Sequence, residues 1–236
     1  MELQPNPGKK LIVEVDGQNW ARYPVKTHFI TTNDSLENVL GEYVLSYSQK
    51  EDIVVLGQKI VSILQKRVVY KKDIKVGRWA KFLSGFAQKT PYGFGIGNPL
   101  KMQLALQIAG LPRILFAAAV SGALRIFKVK GVFYHLAGSQ ISRIDGFYGE
   151  AFPQYADMGI LAPENCDKLC QALKEKHGLS FLVGDVNDFD PVILGKSSDL
   201  IGKEKMLIQL LKDNPAGQSN YQTPILIARK VKETQC

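Results

Sequence analysis

Cysteine is scarce in this chain. Its 236 residues include three cysteines, of which Cys166 and Cys170 lie four positions apart and Cys236 is terminal. Three thiols cannot form a disulfide framework, so we expect them to be reduced, as in intracellular proteins. No Cys-x-x-Cys pair and no set of Cys and His partners accompanies them. Helix packing is therefore a simpler role for Cys166 and Cys170 than zinc binding.

Long apolar runs are also missing. The most apolar stretch, residues 114–124, has eleven residues between Arg113 and Arg125, whereas a helix that spans a bilayer needs about twenty. The amino terminus lacks the cationic segment and apolar core of a signal peptide. We therefore predict a cytoplasmic protein with no membrane among its partners, and we interpret residues 114–124 as a buried helix rich in Ala and Gly.

Acidic residues are outnumbered by basic ones. The chain has 30 Lys and Arg against 22 Asp and Glu, which gives a net charge of +8 and a pI near 9.3. This balance favours anionic partners, which include nucleotides, phosphorylated metabolites and nucleic acid. The densest basic group lies at residues 66–81, with Tyr70, Trp79 and Phe82 as its aromatics. Nucleic acid is thus an alternative partner that rests on charge alone.

Short strands alternate with helices along the chain. We predict strands at residues 11–15, 25–31, 53–56, 67–70, 129–136, 179–183 and 223–228. We predict helices at residues 34–46, 77–88, 100–109, 163–177 and 206–211. In the helix at 77–88, the spacing of Trp79, Phe82, Leu83 and Phe86 predicts a core-facing stripe. Without repeats or a Pro/Ser-rich linker, the sequence predicts one α+β domain over residues 1–236, with mixed sheets and packed helices.

One predicted buried strand, residues 53–56, is followed at once by polar residues. Gly57 lets the backbone turn there without a Cβ penalty. Gln58, Lys59 and Ser62 then lie at the exit of the strand, where oriented polar groups often meet a ligand. A solvated lysine on an ordinary strand-to-helix turn is the alternative explanation of the same pattern.

Glycines alternate in a second candidate segment. Gly93, Gly95 and Gly97 precede the predicted helix that begins near Leu100. Glycines allow the backbone to approach a phosphate closely, and the positive end of the helix would point at it. The segment lacks the GxxxxGK(S/T) pattern of a P-loop, so an ordinary flexible connection is the alternative. The Gly-Lys-Ser run at residues 195–197 also lacks the upstream glycine of that pattern.

Carboxylates follow another predicted buried strand, residues 179–183. Asp185, Asp188 and Asp190 lie there together with Asn187. Such an oxygen-rich group at a strand exit suits Mg²⁺ or Mn²⁺, which prefer carboxylate and carbonyl ligands. A polar turn capped by aspartate is the alternative interpretation.

The order of residues in DIVVLGQKIVS, which begins at Asp52, resembles the amino-terminal signature of the γ-glutamyl ligases that extend coenzyme F-420. In that family a strand ends in a Gln-Lys-(Ile/Val)-Val-Ser run. Residues 23–44, YPVKTHFITTNDSLENVLGEYV, are similar to the family's opening strand, acidic turn and first helix, with Asp34 in the turn. The similarity returns over residues 144–195, where Asp185 and Asp145 match the two metal-binding aspartates of the family.

The resemblance implies the fold of these ligases, a homodimer and amide formation driven by GTP or ATP. A substrate carboxylate would be activated as an acyl phosphate and then attacked by the amine of glutamate or another amino acid. A divalent metal, Mg²⁺ or Mn²⁺, would bridge the phosphates, and Lys59 would help to hold one of them. We expect Asp145 and Asp185 to converge on one metal site. Two carboxylates that lie close together repel each other, and a bound cation would neutralise that repulsion.

Two predicted sets of site residues result. The nucleotide and phosphate set is Gln58, Lys59, Ser62, Gly95 and Gly97, and the metal set is Asp145, Asp185 and Asp188.

The chain departs from the family pattern beside these residues. Ile-Leu-Gln-Lys-Arg at residues 63–67 replaces the family's Lys-x-Glu-Gly-Arg, and Phe147-Tyr148 replaces the Ser-Asn after the second aspartate. An acidic and polar site has thus become partly aromatic and aliphatic. The alternative function is a catalytically reduced protein of the same fold that binds a nucleotide or a phosphorylated metabolite. For the ligase, the expected partners are a nucleotide and a small acidic substrate.

Overall fold

A computed structural model describes residues 4–87, 95–125, 131–147, 153–186, 190–217 and 221–231. The chain divides into two compact units, which we call the first unit (Met1–Lys66 with Pro163–Cys236) and the second unit (Arg67–Ala162). Both contain helices and strands, so the predicted α+β class with a mixed sheet and packed helices is confirmed. The prediction of one domain over residues 1–236 stays a prediction.

The described residues form the following α-helices and strands, and a π-helical segment at Gly41–Leu45 directly continues α1. In chain order they are β1 (Ile12–Val15), β2 (Gln18–Val25), α1 (Leu36–Leu40), β3 (Ile53–Gly57), α2 (Gln58–Leu64), β4 (Val68–Tyr70), α3 (Arg78–Phe86), α4 (Pro99–Ala109), α5 (Leu111–Arg125), α6 (Val132–Ala137), α7 (Ser139–Ser142), β5 (Asp145–Gly146), β6 (Met158–Ile160), α8 (Cys166–His177), β7 (Ser180–Asp185), β8 (Val192–Lys196), α9 (Glu204–Leu211) and β9 (Ile225–Lys230).

A six-stranded sheet in the order β1-β2-β9-β3-β7-β8 forms the first unit. β3 and β7 run parallel, whereas the other neighbouring pairs are antiparallel. β3 is buried on both faces, as its continuous apolar run predicts. Leu207, Leu210 and Leu211 of α9 belong to the core on one face of the sheet, and α2 and α8 contact β7.

The position of β2 was predicted incorrectly. The strand covers residues 18–25 rather than 25–31. It is joined to β1 by Asp16 and Gly17, which have φ values of 52° and 74°. A two-residue turn with positive φ at both positions matches the twist of a hairpin, so this turn sets where β2 begins.

The second unit combines a three-stranded antiparallel sheet, β4-β6-β5, with helices α3 to α7. α4 ends before Gly110, whose φ of 79° terminates the helix as predicted. The strand predicted over residues 129–136 is wrong for its described part, because α6 is helical between Gly131 (φ 81°) and Gly138 (φ 111°). Tertiary packing and these two glycine boundaries override the β-propensity of the Val-Phe-Tyr run.

Two helices of the second unit bury less than predicted. In α3 the predicted core stripe fails, because Leu83 is buried while Trp79, Phe82 and Phe86 are 50%, 57% and 71% exposed. α5 is helical as predicted, but Ile114 is one of only two buried residues in it. Among the described residues no single helix is long and apolar enough to cross a membrane, and α4 with α5 reach that length and composition only as a pair bent by 115°.

Asp199 cross-links α8 to the start of β7 and to the residue that follows β8. Its Oδ1 lies 2.7 Å from Nζ of Lys174 and accepts a hydrogen bond of 2.7 Å from Oγ of Ser197, and its Oδ2 accepts one from Oγ of Ser180. Burial alone would raise the pKa of Asp199, but the hydrogen bonds from Lys174, Ser180 and Ser197 outweigh it and lower the pKa from 3.8 to about 2. The ionised carboxylate therefore stabilises the folded state.

We expect this contribution to depend on pH. Because the folded-state pKa lies below the unfolded value, the stabilisation is complete above pH ~4 and is lost as the pH falls through about 2. The difference in free energy of unfolding between wild type and Asp199→Asn should therefore shrink over that range in urea titrations. Asn33→Ser, an exposed and uncharged change in the first unit, is the control and should show no such trend. A constant difference for Asp199→Asn would contradict the assignment.

Candidate functional site

Four neighbouring strands of the first unit are paired through one row of residues, which lies near the same end of each strand. Ile225 pairs with both Val25 and Leu56, and Leu56 pairs with Val183. The segments beyond this row all lie at one edge of the sheet, which we call the polar edge. Its residues are Lys26 and Thr27 after β2, Gln58 and Lys59 after β3, Asp185 at the end of β7, and Gln222 and Thr223 before β9.

Three of the predicted site residues share the polar edge. Gly57 pairs with Gly184 in the parallel ladder of β3 and β7. Gln58 and Asp185 follow these glycines, so they lie at the same end of neighbouring strands, which are about 4.8 Å apart. Lys59 and Asp185 are half-buried, and Gln58 is buried. A lysine and a carboxylate that follow neighbouring strands at the same end of a sheet are suited to hold a phosphate and a divalent cation, respectively.

Gly57 is required for a different reason than we predicted. Its φ of −64° and ψ of 138° are available to any residue, so the turn itself needs no glycine. A Cβ atom at this position would instead lie 2.9 Å from the carbonyl oxygen of Pro224. The Gly57 N–H donates to that same oxygen at 2.9 Å. The glycine thus allows the segment before β9 to pack directly against the start of α2.

The segment before β9 is itself held in an unusual conformation. Gln222 has a φ of 54°, a left-handed geometry that costs a non-glycine residue about 1–2 kcal/mol. Its carbonyl oxygen accepts a hydrogen bond of 3.0 Å from the Thr27 N–H. Strained backbone is common where a loop must present groups to a ligand, and this strain lies at the polar edge.

Ser62 lies one helical turn further from the edge, in α2. Its side chain is completely buried, and its Oγ has no hydrogen-bond partner within the described part of the chain. A buried hydroxyl without a partner costs about 1–3 kcal/mol. Its predicted role in phosphate binding stays a prediction.

Gly95 and Gly97 belong to the second unit and precede α4. Gly95 has a φ of 79°, and a Cβ there would lie 2.8 Å from Oη of Tyr134, so packing already explains a glycine. The side chain of Asn98 accepts a hydrogen bond of 2.8 Å from the Leu100 N–H and caps α4. Gly93 lies outside the described residues. The predicted contact of Gly95 and Gly97 with a nucleotide stays a prediction.

The three predicted metal ligands are distributed over the chain. Asp185 ends β7 in the first unit, whereas Asp145 begins β5 in the second unit and pairs with Ile160. Asp188 lies outside the described residues. Within the described ranges no group of three or more His, Cys, Asp or Glu side chains could hold a metal ion. The convergence of Asp145 and Asp185 on one metal stays a prediction.

Sequence reasoning missed a hydrogen-bonded chain of three side chains just beyond β2. His28 Nδ1 lies 2.8 Å from Oη of Tyr43, and His28 Nε2 lies 3.1 Å from Oδ1 of Asp34. The backbone N–H and hydroxyl of Thr31 also donate to Asp34, at 2.7 and 2.9 Å. The Thr31 backbone hydrogen bond is the main cause that lowers the pKa of Asp34, although slight burial opposes it.

This chain of hydrogen bonds fixes the imidazole plane of His28. When Tyr43 donates to Nδ1, the Nε2–H donates to Asp34, which is the tautomer that suits a carboxylate partner. The resemblance pointed to Asp34 alone. No motif links it to His28 and Tyr43, because a loop and a helix bring the three residues together.

No protein-family model matches this sequence, and no curated protein is significantly similar to it. The function must therefore be argued from the residues of the polar edge.

Proposed function

We propose that the chain is a nucleotide-dependent amide ligase, similar to the γ-glutamyl ligases of coenzyme F-420. It would join glutamate or another amino acid to an acidic cofactor or peptide precursor. The observation that carries the proposal is the pairing of Gly57 with Gly184, since it brings Gln58, Lys59 and Asp185 to one edge of the sheet. The order of the residues around Lys59, which resembles that family's signature, supports the same chemistry.

The proposed reaction has two steps. An oxygen of the substrate carboxylate attacks the γ-phosphorus of GTP or ATP, so that an acyl phosphate forms and the nucleoside diphosphate leaves. The amine of the amino acid then attacks the acyl carbon, inorganic phosphate leaves with the electron pair of the C–O bond, and the amine nitrogen loses a proton. Neither step needs a nucleophilic side chain from the protein.

Two residues of the polar edge have defined roles in this proposal. Lys59 holds a phosphate as a point charge. Asp185 provides a carboxylate ligand for Mg²⁺ or Mn²⁺, with Asp145 and Asp188 as the further proposed ligands. These residues would hold the cation, which when bound would supply neutralisation of charge on the transferred phosphoryl group.

A thermal-shift experiment tests the binding step. We expect GTP or ATP with Mn²⁺ to raise the melting temperature of the full chain, because a ligand at 100 times its Kd stabilises a protein by about 2.7 kcal/mol. Lys59→Ala and Asp185→Asn should lose this shift while they keep the melting temperature of the ligand-free protein. Lys50→Ala removes an exposed cation of the first unit away from the polar edge and should keep the shift. No shift in the wild type, or a shift retained in both site variants, would refute the proposal.

The alternative is a binding protein of reduced activity, and one observation favours it. Ile63 follows Ser62 where the ligase family has a lysine, and its side chain is buried. Such a protein would show the thermal shift without hydrolysis. Release of phosphate that depends on both an acidic acceptor and an amino acid would support the ligase, whereas binding without release would support the alternative.

We also propose a homodimer, because the resembling family pairs its subunits. Sedimentation equilibrium of the full chain should then give twice the mass of 26.2 kDa. A monomeric mass at micromolar concentration would contradict this part of the proposal and leave the binding test unaffected.

A further inference from the structure

α3 presents three aromatic side chains to solvent. Trp79, Phe82 and Phe86, which we call the aromatic face, are each at least half exposed. Their rings pack edge to face along the helix, with centroid separations of 6.1 Å between Trp79 and Phe82 and 5.0 Å between Phe82 and Phe86. Residues three and four apart lie on the same side of a helix, so the rings form one continuous apolar strip.

The opposite side of α3 holds the helix in the core of the second unit. Ala80, Leu83 and Ser84 are its buried residues, and Ala80 and Leu83 belong to the main hydrophobic cluster of that unit. The aromatic face therefore cannot turn inward without removing Leu83 from the core. Large aromatic side chains that stay exposed in a group mark an interaction surface.

Cations flank the aromatic face. Arg78 and Lys81 are exposed on α3 itself, and Lys71, Lys72 and Lys75 are exposed just before it. Between Asp73 and Asp145 the sequence contains ten Lys and Arg and no Asp or Glu. An aromatic strip bordered by lysine and arginine is the composition of a helix that lies in the interface of an anionic membrane.

The excess positive charge of the chain is confined to the second unit. That unit has thirteen Lys and Arg against four Asp and Glu, a net charge of +9. The first unit has seventeen against eighteen, a net charge of −1. If the charge served only solubility, we would expect it to be shared between the units. A net charge of +9 on the second unit alone instead favours the interaction of that unit with an anionic surface.

A second helix of the same unit also exposes apolar side chains. α5 contains no acidic residue, and Phe116 in its first half is 60% exposed. On α4, Ile108 is exposed as well. The exposed apolar surface of the second unit therefore extends beyond α3.

We propose that the second unit adsorbs to an anionic phospholipid bilayer through the aromatic face of α3. The three rings enter the boundary between headgroups and acyl chains, where Trp is favoured because its ring is apolar and its N–H is polar. Lys and Arg beside the rings contact lipid phosphates. This interaction differs from our expectation of no membrane partner, which considered spanning segments, and it needs none.

A bilayer fits this surface better than a nucleic acid does. A stacking platform for single strands needs the flat faces of its rings free for bases, whereas the edge-to-face contacts of Trp79 with Phe82 and of Phe82 with Phe86 place one ring against a face of the other in each pair. The exposed aliphatic side chain of Ile108 offers no stacking surface. Acyl chains can contact both aromatic and aliphatic side chains, and these contacts do not require a particular orientation of the rings.

Sedimentation of the full chain with vesicles tests the proposal. We expect the wild type to bind vesicles of mixed phosphatidylserine and phosphatidylcholine more tightly than pure phosphatidylcholine, and binding should weaken as salt is added. The double variant Phe82→Ser/Phe86→Ser should lower the partition coefficient about tenfold or more, since it removes most of the inserted apolar area. Arg78→Gln/Lys81→Gln should reduce the preference for phosphatidylserine.

Two controls separate insertion from general effects. Ile201 is an equally exposed apolar residue of the first unit, so Ile201→Ser should bind vesicles as the wild type does. Trp79 is exposed and Trp20 is buried, so a blue shift of the fluorescence on vesicle binding should disappear in Trp79→Phe although binding persists. The thermal melting of every variant should match the wild type, which shows that α3 stays folded.

Four results would overturn the proposal. The first is failure of the wild type to bind anionic vesicles, and the second is a loss of vesicle binding in Ile201→Ser equal to that in Phe82→Ser/Phe86→Ser. The third is that Phe82→Ser/Phe86→Ser loses binding of single-stranded DNA while its vesicle binding is unchanged. The fourth is that the wild type is a dimer, Phe82→Ser/Phe86→Ser is a monomer, and neither binds vesicles. The third result would assign the surface to nucleic acid, and the fourth would assign it to a second copy of the chain.

Discussion

Replacement of Arg229 by leucine is expected to destabilise the protein by about 3–5 kcal/mol, because it leaves a buried carboxylate without its counterion. Nε and an Nη of Arg229 donate to the two carboxylate oxygens of Asp52 at 2.9 and 2.7 Å. The side chain of Asp52 is 1% exposed. Arg229 also donates to the carbonyl oxygen of Tyr47 at 2.8 Å, so its loss leaves a second acceptor without this donor.

The position of this pair explains why the effect should be large. Asp52 directly precedes β3, and Arg229 lies in β9, the neighbouring strand that pairs with β3. The ion pair therefore closes the end of these central strands opposite the polar edge. Asp52 also accepts a hydrogen bond from the Gln49 N–H at 2.7 Å, which fixes the turn into β3.

Urea unfolding of the single and double variants provides the measurement. Asp52→Asn in the Arg229→Leu background should recover part of the lost stability, because the amide needs no counterion. Lys230→Leu, next in sequence and exposed, is the control and should change the free energy of unfolding by less than about 1 kcal/mol. A loss below about 1 kcal/mol for Arg229→Leu, or additive effects in the double variant, would contradict the proposed coupling.

The central elements of the first unit could be predicted from local patterns. β3 and β7 are apolar runs flanked by polar residues, and α8 has an apolar stripe that ends before Gly178 (φ 70°). The error at β2 arose because the β-branched residues after Val25 were given more weight than the turn before Gln18. Asp16-Gly17 is a strong hairpin signal, and it would have placed the strand correctly.

In the second unit, the periodicity of apolar residues predicted helices correctly but did not predict which of their side chains are buried. The spacing of Trp79, Phe82 and Phe86 correctly indicates a helix with an aromatic strip. It does not say whether another element covers that strip, because burial depends on packing between segments distant in sequence. The core of α3 instead uses Ala80 and Leu83. The composition of α5 likewise predicted a helix correctly and its burial incorrectly.

The candidate site was predictable in its parts and not in its assembly. Local sequence placed Lys59 and Asp185 at the exits of buried strands, which the structure confirms. Their position at the same end of the sheet requires β3 and β7 to be parallel neighbours, although more than a hundred residues separate the two strands in sequence. A single sequence carries little information about such pairings, since any two buried apolar strands are compatible. The link between His28 and Tyr43 was missed for the same reason.

Substitution of Gly195 by alanine is expected to destabilise the protein by about 3 kcal/mol, the upper end of the usual range for overpacking. A Cβ atom at Gly195 would lie 2.4 Å from both Cβ and the carbonyl carbon of Cys166, and 2.5 Å from the backbone nitrogen of Asp167. Two of these three atoms belong to the backbone of α8, so no side-chain rotation can relieve the clash.

The displacement that alanine forces should also break a hydrogen bond. Oδ1 of Asp167 accepts from the Lys196 N–H at 2.9 Å and joins the start of α8 to β8. Gly195 is thus required for close packing of a helix on an edge strand, which explains a Gly-Lys-Ser run without any phosphate.

Gly41→Ala provides the matched control, because Gly41 has a φ of −58° and nothing within 4 Å of its added Cβ. We expect that change to stabilise the protein by about 0.5–1 kcal/mol through helix propensity. Urea unfolding of both variants should therefore give shifts of opposite sign, and a Gly195→Ala protein as stable as the wild type would show that α8 does not pack this closely on β8.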